Sequence, residues 1–193
     1  PTDADTTGGL QASLDGYSRQ TKETVINIDE YRLDYDLIKR LLLKSATAPE
    51  MTHYSKAILI FMPGLAEIRR LNDEILSEPM FQRGWIVHTL HSSIASEDQE
   101  KAFNVPPEGT RKIVIATNIA ETGITIPDIT AVVDAGKEKI MRFDERRQLS
   151  RLVESFISRA NAKQRRGRAG RVQNGICFHL FTKHRHEKLL SEQ

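Results

Sequence analysis

The sequence has little of what secreted, membrane-spanning and zinc-binding proteins depend on. Its 193 residues include one cysteine, Cys177, which excludes an internal disulfide and a multi-cysteine zinc site and indicates an intracellular protein. No apolar run approaches the length that spans a membrane, and the first residues lack the hydrophobic core of a signal peptide. The formal net charge is only +2, so any basic function must be local.

Metal ligands and phosphate-binding loops are missing as well. His184 and His186 have no acidic or cysteine ligands at a metal-binding spacing, which predicts surface histidines and no metal site. The chain has neither a G-x-x-x-x-G-K-[ST] loop for phosphates nor an Asp-Glu-Ala-His sequence for Mg²⁺. It begins with Pro1 rather than Met, and we expect a fragment or processed product of a longer protein.

The chain divides into a tail and one domain. Residues 1–23 are rich in Thr, Asp, Ser and Gly and predict a flexible linker or tail. Residues 24–193 are long enough for one well-buried α/β domain.

Short apolar runs alternate with helical periodicity along this domain. They predict strands at 57–62, 85–90, 112–117, 129–134 and 175–181, and helices at 34–43, 65–76 and 97–103. Such alternation favours right-handed crossovers and a mostly parallel sheet between two layers of helices. Ligands of such sheets bind beyond the carboxyl ends of the strands.

The basic charge is concentrated between Gln164 and Arg171. Read as a helix, this stretch puts Gln164, Arg168 and Arg171 on one polar stripe. Gly167 and Gly170 would each destabilise such a helix by about 1 kcal/mol, which indicates that a backbone or ligand comes very close. Arginine forks match phosphate oxygens, and a Gln beside them can orient a water. The alternative is a solvated basic helix that binds nucleic acid or serves as a localisation patch.

This stretch closely resembles motif VI of the superfamily 2 RNA helicases, in the DEAH-box/RNA helicase A branch. Residues 116–127 resemble motif V of that family, and residues 59–65 resemble motif IV. The resemblance spans about residues 24–193 and implies the second of two RecA-like domains. That fold is a three-layer α/β domain with a mostly parallel central sheet and an inserted β-hairpin. The resemblance also implies ATP with Mg²⁺, bound mainly by a first RecA-like domain that this chain lacks.

The resemblance implies catalytic roles in motif VI and nucleotide contacts in motif V. Arg168 and Arg171 match the arginine fingers that reach ATP on the first domain, and Gln164 matches the residue that helps to position the attacking water. Gly123, Thr125 and Asp128 are the expected nucleotide-binding residues, although the sequence departs from the family pattern at two positions. Many members have Ser at the position of Gly123, and many have a ribose-contacting Asp one residue before Asp128.

RNA-backbone contacts are implied at Gly64, Ser93, Thr117 and Asn118. Backbone N–H groups and small hydroxyls reach phosphates without reading bases, so this binding would be independent of sequence and sensitive to salt. Two local alternatives remain open. Thr117 and Asn118 could be a capping pair that satisfies a turn, and Ser93 could be a helix N-cap.

Residues 136–152 alternate charged and apolar side chains between motifs V and VI, and they are long for a loop. The resemblance implies a β-hairpin here that wedges at the nucleic-acid duplex junction. An exposed hairpin with no role is the alternative.

We therefore expect the helicase domain of an ATP-dependent RNA helicase whose isolated fragment is inactive. Its partners would be single-stranded or partly duplex RNA and the first RecA-like domain, with no membrane. We expect it inside the cell, in the cytoplasm rather than the nucleus. The alternative function is a non-catalytic RNA- or partner-binding module that uses the basic helix at 159–171.

Overall fold

The computed structural model describes residues 18–20, 29–170 and 174–192. Most of the linker predicted over 1–23 lies outside these ranges, and so does Arg171. The boundary between tail and domain therefore stays a prediction.

The centre of the domain is a five-stranded parallel sheet, in which residues 85–90, 111–116, 57–61, 131–134 and 176–179 form neighbouring strands in that order. Each strand predicted from an apolar run is present, within two residues at either end. The strands are β1 Ala57–Phe61, β2 Trp85–Leu90, β3 Arg111–Ala116, β4 Ala131–Asp134, β5 Lys137–Asp144, β6 Leu149–Phe156 and β7 Ile176–His179.

Helices connect the strands, as the alternating pattern predicts. They are α1 Tyr35–Thr47, α2 Leu65–Ser77, α3 Ser96–Glu100, α4 Ile119–Thr122 and α5 Arg159–Arg166, with a π-helical turn at Arg185–Leu189. Asp34 caps α1, because its side chain accepts a hydrogen bond from the backbone N–H of Leu37.

Both faces of the sheet are covered, which explains why β1 is an unbroken apolar run. All of its residues are buried. Ile58 and Ile60 pack into one hydrophobic cluster with α1 and α2, whereas Leu59 and Phe61 pack into a second cluster on the other face. Successive side chains of a strand point to opposite faces, so a strand between two layers must be apolar throughout. The predicted three-layer arrangement is confirmed.

The carboxyl ends of β1, β2 and β3 meet at one edge of the sheet. The N–H of Met62 donates to the carbonyl of Ala116 at 2.8 Å, and the N–H of Thr117 donates to the carbonyl of Leu90 at 3.4 Å. The segments that follow these strands, which carry motif IV, motif V and Ser93, are therefore neighbours.

An antiparallel hairpin leaves the sheet directly after β4. Strands β5 and β6 pair over eight residues each and extend four residues beyond the predicted limit of 152. Gly136 turns the chain into the hairpin with a φ of 72°, and a Cβ there would lie 2.3 Å from the Phe181 ring. Met141, Phe143 and Leu152 expose more than half of their surface. The inserted hairpin is confirmed.

The buried hydroxyl of Thr130 joins the start of β1 to the segment before β4. Thr130 is fully buried, accepts from the Ala57 N–H at 3.1 Å and donates to a backbone carbonyl. Thr130→Val keeps the shape but leaves the buried Ala57 N–H without its acceptor, so the free energy of unfolding should fall by about 1–3 kcal/mol. Chemical denaturation measures it.

Thr47→Val is the matched control, because the Thr47 hydroxyl also bonds a carbonyl but is exposed. This control should change the free energy of unfolding by less than about 0.5 kcal/mol. Equal effects of the two substitutions would contradict the role of Thr130.

Candidate nucleotide and RNA interface

The motif VI helix is shorter than the sequence predicts. Helix α5 begins at the N-cap Ser158, whose hydroxyl accepts from the Asn161 N–H at 3.1 Å, and it ends at Arg166. Gly167 is its C-cap, and the N–H groups of Arg168 and Ala169 then make tighter i−3 bonds. The expected continuous stripe through Arg168 is thus wrong, because Arg168 lies in the turn after the helix.

The two glycines of this stretch have different reasons to be there. A Cβ on Gly167 would meet only the helix carbonyls of Gln164 and Lys163, at 3.4 and 3.5 Å, so nothing comes unusually close. Gly170 has a φ of 74°, which disfavours a side chain. A Cβ on Gly175 would lie 2.4 Å from the Gly170 nitrogen. The expected close approach is therefore absent at Gly167, and beside Gly170 the tight contact is made by Gly175, the residue that precedes β7.

Arg168 contacts the motif V segment. Its Nη1 donates to the hydroxyl of Thr125 at 3.0 Å, so one finger candidate and one nucleotide-contact candidate are brought together. Gln164 is exposed on α5, one turn before Arg168. Arg171 lies outside the described residues, and its place in the site stays a prediction.

A buried arginine that the sequence pattern did not assign joins the elements of the site. Arg165 has no exposed surface, and its Nε donates to Glu121 Oε2 at 3.1 Å. Its Nη1 donates to Asp134 Oδ1 at 2.8 Å and to the Lys137 carbonyl at 3.3 Å. The guanidinium carbon also lies 4.9 Å from the ring centre of Phe61. One side chain thus links α5 to α4, to the ends of β1 and β4, and to the hairpin.

The two carboxylates that bind Arg165 differ electrostatically. Burial alone would raise the pKa of Asp134, but hydrogen bonds from His179 and Arg165 outweigh it and hold that pKa below its usual value. For Glu121 burial is the larger effect, and its pKa is raised despite the hydrogen bond and charge of Arg165. Ionised Asp134 therefore stabilises the fold, whereas burying the Glu121 charge opposes it.

Asp128 lies away from the other candidates. Its carboxylate is 2.6 Å from the ammonium of Lys112, which is fully buried and also donates to the carbonyls of Ala102 and Asn104. Lys112 is the second residue of β3, so this pair is at the amino end of the sheet. A contact between Asp128 and a nucleotide stays a prediction. In the structure, the Asp128 carboxylate forms an ion pair with the buried ammonium of Lys112.

The RNA candidates cluster at the carboxyl edge. Thr117 is buried, while Asn118 is exposed at the N-cap position of α4 and makes no capping bond with its side chain. The helix after Ser93 begins at Ser96 with Ala95 as N-cap, so the N-cap alternative for Ser93 is wrong. Ser93 is exposed in a turn, and its N–H donates to His91 Nδ1.

The hairpin reaches back over motif IV. A Cβ on Gly64 would lie 2.9 Å from the Lys139 ammonium, which forms an ion pair with Glu67 at 2.8 Å. A side chain at position 64 would displace the end of this lysine from its place above the start of α2. Sequence patterns gave no signal for Lys139, because its partner is 72 positions away.

Gly123 is exposed as the C-cap of α4. A Cβ there would lie 3.2 Å from the Ile119 carbonyl, so a serine would need a small local shift. The short helix fits glycine better than the hydroxyl residue that many family members carry.

Among the described residues, the cysteine and the histidines do not form a metal-binding cluster. No group of His, Cys, Asp or Glu able to hold a metal occurs among the residues that the structure describes. Cys177 is half-buried in β7, and burial raises the pKa of its thiol to about 12. The same described ranges contain no helix long and apolar enough to cross a membrane.

Comparison with known proteins agrees with this geometry. The profile of the family described as helicase conserved C-terminal domain matches residues 35–173. The chain is 49% identical over 183 residues to the ATP-dependent RNA helicase dhx29 of Xenopus laevis, covering 94% of the chain and 13% of that protein. This chain belongs to the DEAH-box/RNA helicase A family, as a helicase C-terminal domain.

Other helicases of this family give the same picture. The putative ATP-dependent RNA helicase DHX57 of Homo sapiens is 42% identical, over 95% of the chain and 14% of its own length. The crystal structure of the E. coli DExH-box NTPase HrpB matches 84% of the chain and 19% of that protein, with a TM-score of 0.73 and 36% identity. The chain thus spans about an eighth to a fifth of these relatives.

The stabilising role of Asp134 predicts a pH-dependent effect of Asp134→Asn. Because the folded pKa is lowered, the stabilisation is complete above the unfolded value of about 4 and is lost as the pH falls through the folded value. At pH 7 the variant should lose about 3 kcal/mol of unfolding free energy, because a buried arginine loses a charged partner. The loss should shrink below about pH 4.

Asp98→Asn is the control for this titration, since Asp98 pairs with Lys101 on the surface. It should change the unfolding free energy by less than about 0.5 kcal/mol at any pH. A loss for Asp134→Asn that stays constant from pH 7 to pH 3 is the contradicting result.

The pair of Lys112 and Asp128 predicts a stability effect for Asp128→Ala. The substitution leaves the buried ammonium without its carboxylate and should lower the unfolding free energy by about 3 kcal/mol. The double variant Lys112→Met/Asp128→Leu should recover most of that loss, because both charges are gone.

The same variants test the nucleotide contact in the full-length protein. A tenfold rise of the KM for ATP in Asp128→Ala, with unchanged stability, would support the ribose contact instead. An unchanged KM with lowered stability supports the ion pair.

Proposed function

We propose that the chain is the second RecA-like domain of an ATP-dependent RNA helicase and supplies part of the ATP site of the full-length protein. ATP with Mg²⁺ would be bound mainly by a first RecA-like domain. The contact between Arg168 and Thr125, at 3.0 Å, is the observation that carries the proposal. It joins motif VI to motif V, whose first residues follow β3 at the edge where the RNA candidates lie.

The names of the relatives support this function. The Xenopus dhx29 is named an ATP-dependent RNA helicase, and the human DHX57 is named a putative one. Because the chain spans so little of each, the activity belongs to the full-length protein. The isolated chain should not hydrolyse ATP, since it has no phosphate-binding loop.

The proposed catalytic residues are Gln164, Arg168 and Arg171. When the first domain closes on this one, the arginine forks would stabilise the charge that develops on the γ-phosphoryl group, and Gln164 would orient the attacking water. Mg²⁺, which the first domain would mainly hold, would neutralise part of the phosphate charge. Gly123, Thr125 and Asp128 remain the proposed nucleotide contacts.

The proposed RNA contacts are Gly64, Ser93, Thr117 and Asn118. They follow the ends of the neighbouring strands β1, β2 and β3, so one RNA backbone segment could run along this edge. Contacts of this kind hold phosphates without reading bases, and binding should weaken as salt increases.

The hairpin is proposed to act at the junction between single-stranded and duplex RNA. Its outer part exposes the apolar side chains of Met141, Phe143 and Leu152, which suit insertion between base steps as a wedge. Arg142 and Arg151 are exposed and lie directly opposite each other on the two strands. Their positive charges repel each other, and a bound phosphate would reduce this repulsion.

Removal of a proposed finger tests the function. Arg171→Ala and Arg168→Ala in the full-length protein should each lower the turnover number for RNA-stimulated ATP hydrolysis by about 10³–10⁵. The dissociation constant for RNA should change by less than about fivefold, because the fingers face ATP. Both quantities are measured at matched RNA occupancy.

Arg166→Ala is the matched control, since Arg166 is exposed on the last turn of the same helix. It should leave turnover within about threefold of wild type. If all three substitutions weaken RNA binding while turnover at saturating RNA survives, the basic-helix binding module is the better account.

A further inference from the structure

We propose that Glu121 is a positioning residue that couples RNA binding to ATP hydrolysis by holding motif V against motif VI through Arg165. This inference rests on the function proposed above. It concerns a side chain that lies in neither the proposed ATP contacts nor the proposed RNA contacts.

Helix α4 is too short to hold its position by itself. This helix has only four residues, Ile119–Thr122, and follows the RNA candidates Thr117 and Asn118 without a break. A helix of one turn has no stability of its own, so its position depends on what its side chains contact. Glu121 is its buried polar residue, and it points at Arg165.

Two hydrogen bonds tie the motif V segment to the motif VI segment. Glu121 accepts from Arg165 Nε at 3.1 Å, and four residues later Thr125 accepts from Arg168 Nη1 at 3.0 Å. Two contacts at separate points fix both the position and the orientation of the motif V segment relative to α5. A shift of Thr117 and Asn118 on RNA would therefore be carried to Arg168.

Glu121 differs from the other partners of Arg165 in the segment of the chain to which it belongs. Asp134, the Lys137 carbonyl and the ring of Phe61 belong to the sheet and to the base of the hairpin, and they anchor the guanidinium there. Glu121 alone among the charged partners belongs to the segment that carries RNA candidates. Its contact is the one that can change when that segment moves.

The energetics agree with a role other than stability. Burial raises the pKa of Glu121, whereas the pKa of Asp134 is lowered. Ionisation of Asp134 thus stabilises the fold, whereas ionisation of Glu121 does not. Retaining an ionisable side chain at a position where burial opposes its charge is typical of functional sites.

The two carboxylates make a matched experiment in the full-length helicase. Glu121→Gln and Asp134→Asn each remove one negative charge from Arg165 and keep the side-chain shape. For each variant, ATP turnover is measured with and without saturating single-stranded RNA, together with the dissociation constant for that RNA and the melting temperature. Assays are run well below the lowest melting temperature.

Glu121→Gln should lower the ratio of RNA-stimulated to basal turnover by at least about fivefold, the lower end of typical coupling between two sites. Its RNA affinity should stay within about threefold of wild type, and its melting temperature within about 4 °C. Asp134→Asn should show the opposite pattern, a lower melting temperature with the stimulation ratio retained. A ratio for Glu121→Gln that equals wild type overturns the proposal, and so does an equal loss in both variants.

A second pair of variants keeps the test decisive if Asp134→Asn does not fold. Thr125→Ser keeps the acceptor for Arg168, and Thr125→Val removes it. The valine variant should lower the ratio of RNA-stimulated to basal turnover, and the serine variant should retain it. An equal ratio in the two variants, including an equal fall of basal and stimulated turnover in the valine variant, contradicts coupling through these contacts. Wild-type protein whose ATP hydrolysis ignores RNA would instead overturn the proposed function itself.

Discussion

The fold around the candidate site depends on one fully buried guanidinium. Arg165 has two carboxylates, a backbone carbonyl and an aromatic ring as neighbours, and these belong to α4, β4, the hairpin and β1. A buried charge is expensive unless it is paired and its donors are satisfied, so these elements cannot move apart independently. Helix α5 and the turn after it, which contains Arg168, are therefore tied to the edge that carries the RNA candidates.

Local patterns were enough to predict the layers of this fold. Runs such as Ala57–Phe61 are apolar throughout because both faces of the sheet are covered, and helices such as Leu65–Ser77 show the spacing of one buried face. The alternation of the two implied parallel crossovers and an edge where strand ends meet. The three motifs then placed the candidate residues at that edge, in an order that the family resemblance explains.

Long-range pairing was beyond the reach of the sequence. Glu121 and Arg165 are 44 positions apart, and nothing in the spacing of either indicates the other. Lys112 and Asp128 are 16 positions apart and meet only because the segment before β4 brings Asp128 to the Lys112 side chain near the amino end of β3. The early end of α5 follows from Gly167 and Gly170, because glycine disfavours a helix interior. The charge pattern alone predicts a longer helix, in which both glycines would indicate a close approach.

The central claim is that this domain reaches ATP with arginines of motif VI. The most direct test is a structure of the full-length protein with RNA and a non-hydrolysable ATP analogue. We predict that guanidinium nitrogens of Arg168 and Arg171 lie about 3 Å from γ-phosphate oxygens, a charge-assisted hydrogen-bond distance. A closed complex in which both arginines face the RNA backbone, and other groups surround the γ-phosphate, would contradict the account.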